Sequence, residues 1–349
     1  MNVIILTAKF GMGHVNVAKA IQDKILEKNS NVNVSIVDFY EYFDLKQKKD
    51  KPYYQDYLDS ISKNPKLYNL SNDIDKHIGF SYLRNKDKNN AYKLIKEYNP
   101  DLIIPTFPWC TVTLSLFKKE CKVNIPLYTY VTDIEACQEW VGYKDYNDYY
   151  FVGSMETKND LIKLKVEKEK IIICGIPVRK EFSYVNNMDK EIDILIMGGS
   201  MGLLPIKDEL IKKLSLKYKI TIITGSNKDL YNRLCNELNN VNVLGYVNDI
   251  YKYMFKSKMI ITKPGGITLF ECLNSKLPLY IINPLLSQEI QNAHYIENNN
   301  IGKVIWKMNK MDIVNDVNEF MDNVDVMQCN MEKIMKMWKS NNPLDYLKR

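Results

Sequence analysis

In the stretch ILTAKFGMGHVNVAKAI a β-branched run breaks at Gly11 and Gly13, and a helical pattern begins at His14. Glycines let the backbone turn tightly at a helix start, where unpaired amides and the helix dipole favour an anion or a developing negative charge. The only other histidines are His77 and His294. A histidine at a helix start reads either as a cap or surface residue or as a general base, and the glycines around His14 favour the base. Two further glycine breaks lie in the second half of the chain. MGGSMG (197–202) places Gly198, Gly199 and Gly202 after an apolar run, where amides can point at a phosphate. TKPGGITLFE (262–271) breaks a strand pattern with Lys263-Pro264-Gly265-Gly266 and opens a helix with Thr268 and Glu271 on one face. Leu269, Phe270, Cys272 and Leu273 serve packing, which leaves Glu271 without an apolar purpose. A carboxylate there can accept both hydroxyls of a ribose, and Thr268 with the helix N-terminus can hold a diphosphate. The polar cluster Ser287-Gln288-Glu289 follows the next apolar run.

Two other chemistries are weaker. The first glycine loop only partly imitates a dinucleotide fingerprint: Asn16 stands where the third glycine belongs, although Asp38 mimics the ribose-binding acid. The D-x-D at Asp73 and Asp75 lies in a polar helical stretch and reads as solvated surface. A glycine-rich helix terminus can replace a cation beside a leaving diphosphate. No metal and no cofactor is expected.

The elements that must position these residues alternate. Short apolar runs at 3–8, 32–40, 101–107, 126–133, 148–154 and 171–178 are separated by helical-period segments. After a polar interruption at 183–191 the alternation restarts with DILIMGGS, KITIITGS, VNVLGYV, MIITKPGG and LPLYIINP. Continuous apolar strands between helices imply parallel sheets, and ligands of such sheets bind at the carboxyl ends of the strands. At 349 residues the chain suits two doubly wound α/β domains, 1–182 and 188–334. The insert from Asp44 to Asn99 differs: residues 44–98 hold twelve Lys or Arg against eight Asp or Glu, with many tyrosines. That mixture suits an anionic membrane surface, or equally a solvated helical excursion.

Composition narrows the classes. The longest apolar runs fall well short of the ~20 residues of a spanning helix, and the N-terminus has no signal-peptide pattern. Seven cysteines without CxxC spacing suit reduced thiols in the cytoplasm. The net charge of +6 comes without a long basic run, which argues against nucleic acid and leaves lipid open.

Read in order, LTAKFGMGH, PDLIIPTFP, VTDIEACQEW, YYFVGS, CGIPV, MGGSMG, ITGSN, GYVNDI, TKPGGITLFE and NPLLSQEIQNA run nearly end to end. This series resembles the glycosyltransferases that make glycolipids from nucleotide sugars and diacylglycerol: processive diacylglycerol glucosyltransferases and monogalactosyldiacylglycerol synthases, relatives of the peptidoglycan N-acetylglucosaminyltransferase acting on lipid I. The resemblance implies a GT-B architecture of two Rossmann-like domains facing a cleft, with the C-terminal helix at about 335–349 returning to the first domain. It implies a UDP-hexose donor, a diacylglycerol acceptor and inverting transfer at the inner face of the cell membrane. His14 and Asp133 would be catalytic, with Gly13, Phe107, Pro108 and Trp140 on the acceptor side. Tyr246 and Val247 would border the uracil, Glu271 hold the ribose, and Asn227 lie near the nucleoside. Gly199, Ser200, Gly265, Gly266 and Thr268 would surround the diphosphate, and Gly225 and Pro264 would also belong to the donor-binding residues. Gln288, Glu289 and Asn292 would face the sugar. The chain departs from the pattern at Cys137, where the family has histidine, and at Met12 in a loop usually all glycine. Competing expectations are transfer of N-acetylglucosamine to another lipid, a UDP-sugar-binding or epimerase-like protein without transfer, and a redox enzyme using Gly11, Gly13 and Asp38.

Overall fold

A computed structural model describes residues 1–9, 13–43, 85–184, 188–199, 202–307, 312–339 and 341–346. Gly11, Met12, Ser200, His77, the pair Asp73 and Asp75, and the insert from Asp44 to Arg84 lie outside the described residues. The chain divides into two compact units, Met1–Lys180 with Met337–Arg349, and Glu181–Lys336.

In the first unit six strands run parallel: β1 (Asn2–Thr7), β2 (Asn33–Asp38), β3 (Leu102–Pro105), β4 (Tyr128–Val131), β5 (Tyr149–Val152) and β6 (Ile171–Ile173). They form the ladders β2-β1-β3 and β4-β5-β6, joined by a single parallel bridge between Ile103 and Leu127. From Val3 onward β1 is buried throughout, because helices cover both faces of the sheet. One core gathers Ile4, Leu6, Phe39, Leu94, Ile103 and Phe117, and a second gathers Val131, Trp140, Tyr150 and Val152. Chain order reverses between β1 and β3, the switch point at which open α/β sheets bind ligands. The apolar run at 171–178 yields a strand only to Ile173. Gly175 takes φ +73°, which breaks extended backbone, and Pro177 has no amide to offer a ladder.

The second unit is one six-stranded parallel sheet of β7 (Ile192–Met197), β8 (Ile220–Ile223), β9 (Val241–Leu244), β10 (Ser257–Thr262), β11 (Leu279–Ile282) and β12 (Gly302–Ile305). The order β9-β8-β7-β10-β11-β12 is the 3-2-1-4-5-6 arrangement of dinucleotide-binding sheets, and its switch point falls between β7 and β10. Register places Met197 beside Thr262, so the glycine breaks after both strands leave the sheet side by side. Ile194, Ile196, Ile222, Met259, Ile261 and Tyr280 form the core beneath them.

Candidate active site

His14 begins the helix Gly13–Lys28, directly above the β1/β3 switch point. Its Nδ1 lies 2.9 Å from the Thr106 carbonyl oxygen, just past β3, and 3.0 Å from Thr132 Oγ1, just past β4. The Phe107 ring meets the imidazole edge to face at 5.3 Å. A carbonyl oxygen only accepts, so the ring proton belongs on Nδ1 and Nε2 keeps its lone pair. Three strand ends thus orient a half-buried histidine as a proton acceptor, with Gly13 and Pro108 half-buried beside it.

Asp133 sits next to Thr132 but turns to another partner: its Oδ2 accepts from Trp140 Nε1 at 2.9 Å. Trp140 is wholly buried. Trp140, expected on the acceptor side, is thus enclosed in the core with its indole N–H given to the Asp133 carboxylate. Cys137 is half-buried, and burial together with Glu139 and Asp133 pushes its thiol far above the usual range. It is a neutral thiol where the family pattern has a titrating imidazole. Asp38 is also spent internally: Oδ1 accepts from the Tyr40 amide at 2.9 Å and Oδ2 from the Lys9 amide at 3.2 Å. The redox reading therefore loses its ribose-binding acid.

In the second unit the helix Gly266–Ser275 starts at the end of β10 with Gly265 as N-cap, which supplies no side-chain oxygen to the first-turn amides. Across the switch point Gly199 takes φ +72° with open space where a Cβ would stand. Gly202 takes φ +65° so that its loop can touch the end of β8, where a Cβ would fall 2.1 Å from the Thr224 carbonyl. Gly225 has φ +59° in the same turn. These loops present uncapped amides and a helix N-terminus at one place, which suits a diphosphate. Thr268 is half-buried on the first turn, and Glu271 is buried on the second. Tyr246 is exposed and Val247 half-buried after β9.

Three of the residues expected at the donor make bonds within the protein. Asn227 Oδ1 caps the helix Lys228–Glu237 by accepting from the Leu230 amide at 2.9 Å. Glu289 Oε2 accepts from the Leu285 and Leu286 amides at 3.3 and 3.4 Å, closing the turn before the helix Ser287–Asn298. Its other oxygen lies 3.9 Å from Lys263 Nζ. Buried Asn292 donates through Nδ2 to the Pro264 carbonyl at 2.7 Å, tying that helix to the Pro264-Gly265-Gly266 turn. Gln288 is exposed on the first turn of the same helix. Sequence reasoning missed Thr106 and Thr132, and named Lys263 only as part of the glycine break, without a role. A hydroxyl beside the candidate Asp133, and a lysine at a strand end, were the available signals. Among the described residues no group of three or more His, Cys, Asp or Glu is placed to hold a metal.

The comparisons follow this geometry. The monogalactosyldiacylglycerol (MGDG) synthase family model matches residues 14–178, and the glycosyltransferase family 28 C-terminal domain model matches 193–341. The processive diacylglycerol beta-glucosyltransferase of Staphylococcus epidermidis (strain ATCC 12228) is 31% identical over 94% of this chain and 88% of its own. That of Staphylococcus carnosus is 30% identical over 86% and 80%. Acinetobacter baumannii MurG shares the fold with TM-score 0.62 at 14% identity, covering 96% of this chain and 95% of that one. Medicago truncatula UGT71G1, complexed with UDP-glucose, gives 0.60 at 12%, covering 97% and 93%. With a relative 31% identical along nearly its whole length and two glycosyltransferase models spanning its two Rossmann-like units, the chain belongs to the glycosyltransferase family of MGDG synthases and processive diacylglycerol glucosyltransferases, on the GT-B fold.

Proposed function

We propose that this enzyme transfers glucose or galactose from a UDP-sugar to the free hydroxyl of diacylglycerol, producing a glycolipid. The observation that carries this reading is the 31% identity to a processive diacylglycerol beta-glucosyltransferase across 94% of the chain. The second unit holds the donor: Glu271 takes the ribose hydroxyls, Tyr246 and Val247 border the base, and the amides at Gly199 and Gly266 with Thr268 take the diphosphate, beside Gly265, whose own amide donates to the Lys263 carbonyl at 2.8 Å. Gln288 meets the sugar, while Asn292 and Glu289 keep the Lys263–Gly266 turn in shape.

In the first unit, His14 Nε2 takes the proton of the lipid hydroxyl as its oxygen forms a bond to the anomeric carbon. The bond from that carbon to the β-phosphate oxygen breaks, and its electron pair leaves with UDP. Attack opposite the leaving group inverts the anomeric centre. The added negative charge on UDP is met by the first-turn amides of Gly266–Ser275 and by the Lys263 ammonium, which supports transfer without a metal. The lipid acceptor requires work at a membrane surface. No helix among the described residues is long and apolar enough to cross a membrane. Peripheral contact through lysines, worth about 1 kcal/mol for each near an anionic surface, serves that need.

The test is UDP release with vesicles of diacylglycerol and anionic lipid, offering UDP-glucose, UDP-galactose and UDP-N-acetylglucosamine separately, with a chelator and with His14→Ala. Diacylglycerol-dependent release with a hexose donor, unaffected by chelation and at least about a hundredfold slower in the variant, is expected. Release only with UDP-N-acetylglucosamine, or independent of diacylglycerol, overturns the assignment.

A further inference from the structure

The feature that sets the chemistry of His14 is what surrounds its Nδ1. Two oxygens from different loops converge on that atom: the Thr106 carbonyl at 2.9 Å and Thr132 Oγ1 at 3.0 Å. Asp133, adjacent in sequence, is instead bonded to Trp140 Nε1. Thr132 is buried, and the strand it follows is buried on both faces, so its hydroxyl is held in place by the sheet.

We propose that Thr132 is a positioning residue for His14: the Thr106 carbonyl sets the proton on Nδ1, and the Thr132 hydroxyl takes a share of it, so that the ring is held in one plane with Nε2 as the bare nitrogen. A bare Nδ1 would set its lone pair against that of the carbonyl 2.9 Å away, whereas an Nδ1–H group is shared by two acceptors. One acceptor alone fixes a direction. Two, from the ends of β3 and β4, fix the ring plane, and the Phe107 ring packs against it edge to face at 78°. Both acceptors also serve the imidazolium, because neither contact changes when Nε2 gains a proton. This support is neutral: among the described residues no carboxylate is paired with the ring to hold the proton after transfer.

The inference rests on the reading of His14 as base, but its central measurement does not need the reaction. Full-length protein carrying ¹⁵N-histidine is observed by two-bond ¹⁵N–¹H NMR without substrate, the His14 signals being identified by their loss in His14→Gln. Wild type is expected to show a protonated Nδ1 and a bare Nε2. Thr132→Val, nearly the same shape without the hydroxyl, is expected to keep that tautomer, which the Thr106 carbonyl holds, but to shift the His14 Nδ1 signal measurably as the second acceptor is lost. It should also lower kcat about five- to tenfold, the worth of one neutral hydrogen bond, with KM for the UDP-sugar unchanged. Thr132→Ser should restore both. A wild-type spectrum with bare Nδ1, or a Thr132→Val protein with wild-type spectrum and kcat, overturns the proposal. If Thr132→Val fails to fold, the wild-type spectrum and the serine variant still decide. A shifted Nδ1 signal in Thr132→Val accompanied by full transfer activity in His14→Gln overturns the base reading instead, so the two failures are distinguishable.

Discussion

Several single side chains near the candidate site brace the protein itself: Asn227 caps the helix that follows it, Glu289 closes the turn at Leu285 and Leu286, Asn292 holds the Pro264 carbonyl, and the Trp140 indole holds the Asp133 carboxylate. Lys190 is a charged case: its Nζ donates at 2.8 Å to the carbonyls of both Phe255 and Ser257. Burial, with repulsion from Lys276 added, lowers its pKa from 10.5 to about 8. Between those values the unfolded chain binds more protons than the folded one, so stability gained from Lys190 rises with pH across that window and is lost as pH falls through 8. Urea unfolding at pH 7.5 and 10 should therefore show a stability rise in wild type that Lys190→Met lacks. Equal pH dependence in both proteins would refute the shift.

Each functional group stands where an element ends. His14 and the Thr106 carbonyl flank the switch point of one sheet, and the glycine loops after β7 and β10 flank that of the other. The helix Gly266–Ser275 keeps its first-turn amides open because its N-cap is glycine, where Ser or Asp would accept from them. The loop opposite is shaped by Gly202, whose positive φ and close approach to the Thr224 carbonyl admit no Cβ. Gly202→Ala should therefore lower stability by about 2 kcal/mol or more and weaken UDP binding, read by thermal unfolding and titration calorimetry. A variant with wild-type melting temperature and UDP affinity would contradict this packing.

At the level of the chain, the last residues complete the first unit. Gly175, at φ +73°, lies against Trp338, where a Cβ would fall 2.6 Å from the indole. Asn341 donates to the Ile173 carbonyl at 3.0 Å, covering the end of edge strand β6. Tyr346 packs at 4.7 Å on Tyr149 and 5.7 Å on Phe151, and its carbonyl accepts from Tyr128 Oη at 2.8 Å. The exposed pair of Lys28 and Asp345 adds little. Deleting residues 340–349 should cost the first unit about 2–4 kcal/mol, from two aromatic contacts and two hydrogen bonds. Thermal unfolding of the truncated protein, beside its unchanged UDP affinity, is the check.

The two parallel α/β sheets were legible in the sequence because strands buried on both faces must be runs of Ile, Val and Leu, a constraint that acts locally on composition. Glycine at the strand ends was legible for a similar reason, since positive φ with a close backbone approach, as at Gly202, favours a residue without a Cβ. The ordered motifs carried the family, and with it the candidate residues. Which of those residues touch ligand and which brace a loop was not legible, because a side chain's partner depends on loops brought together from distant positions. Asp133 and Thr132 are neighbours in the chain, yet one turns to Trp140 and the other to His14, 118 residues away. Only the folded sheet, by setting the ends of β1, β3 and β4 within hydrogen-bond reach, decided that the hydroxyl rather than the carboxylate would stand behind the imidazole.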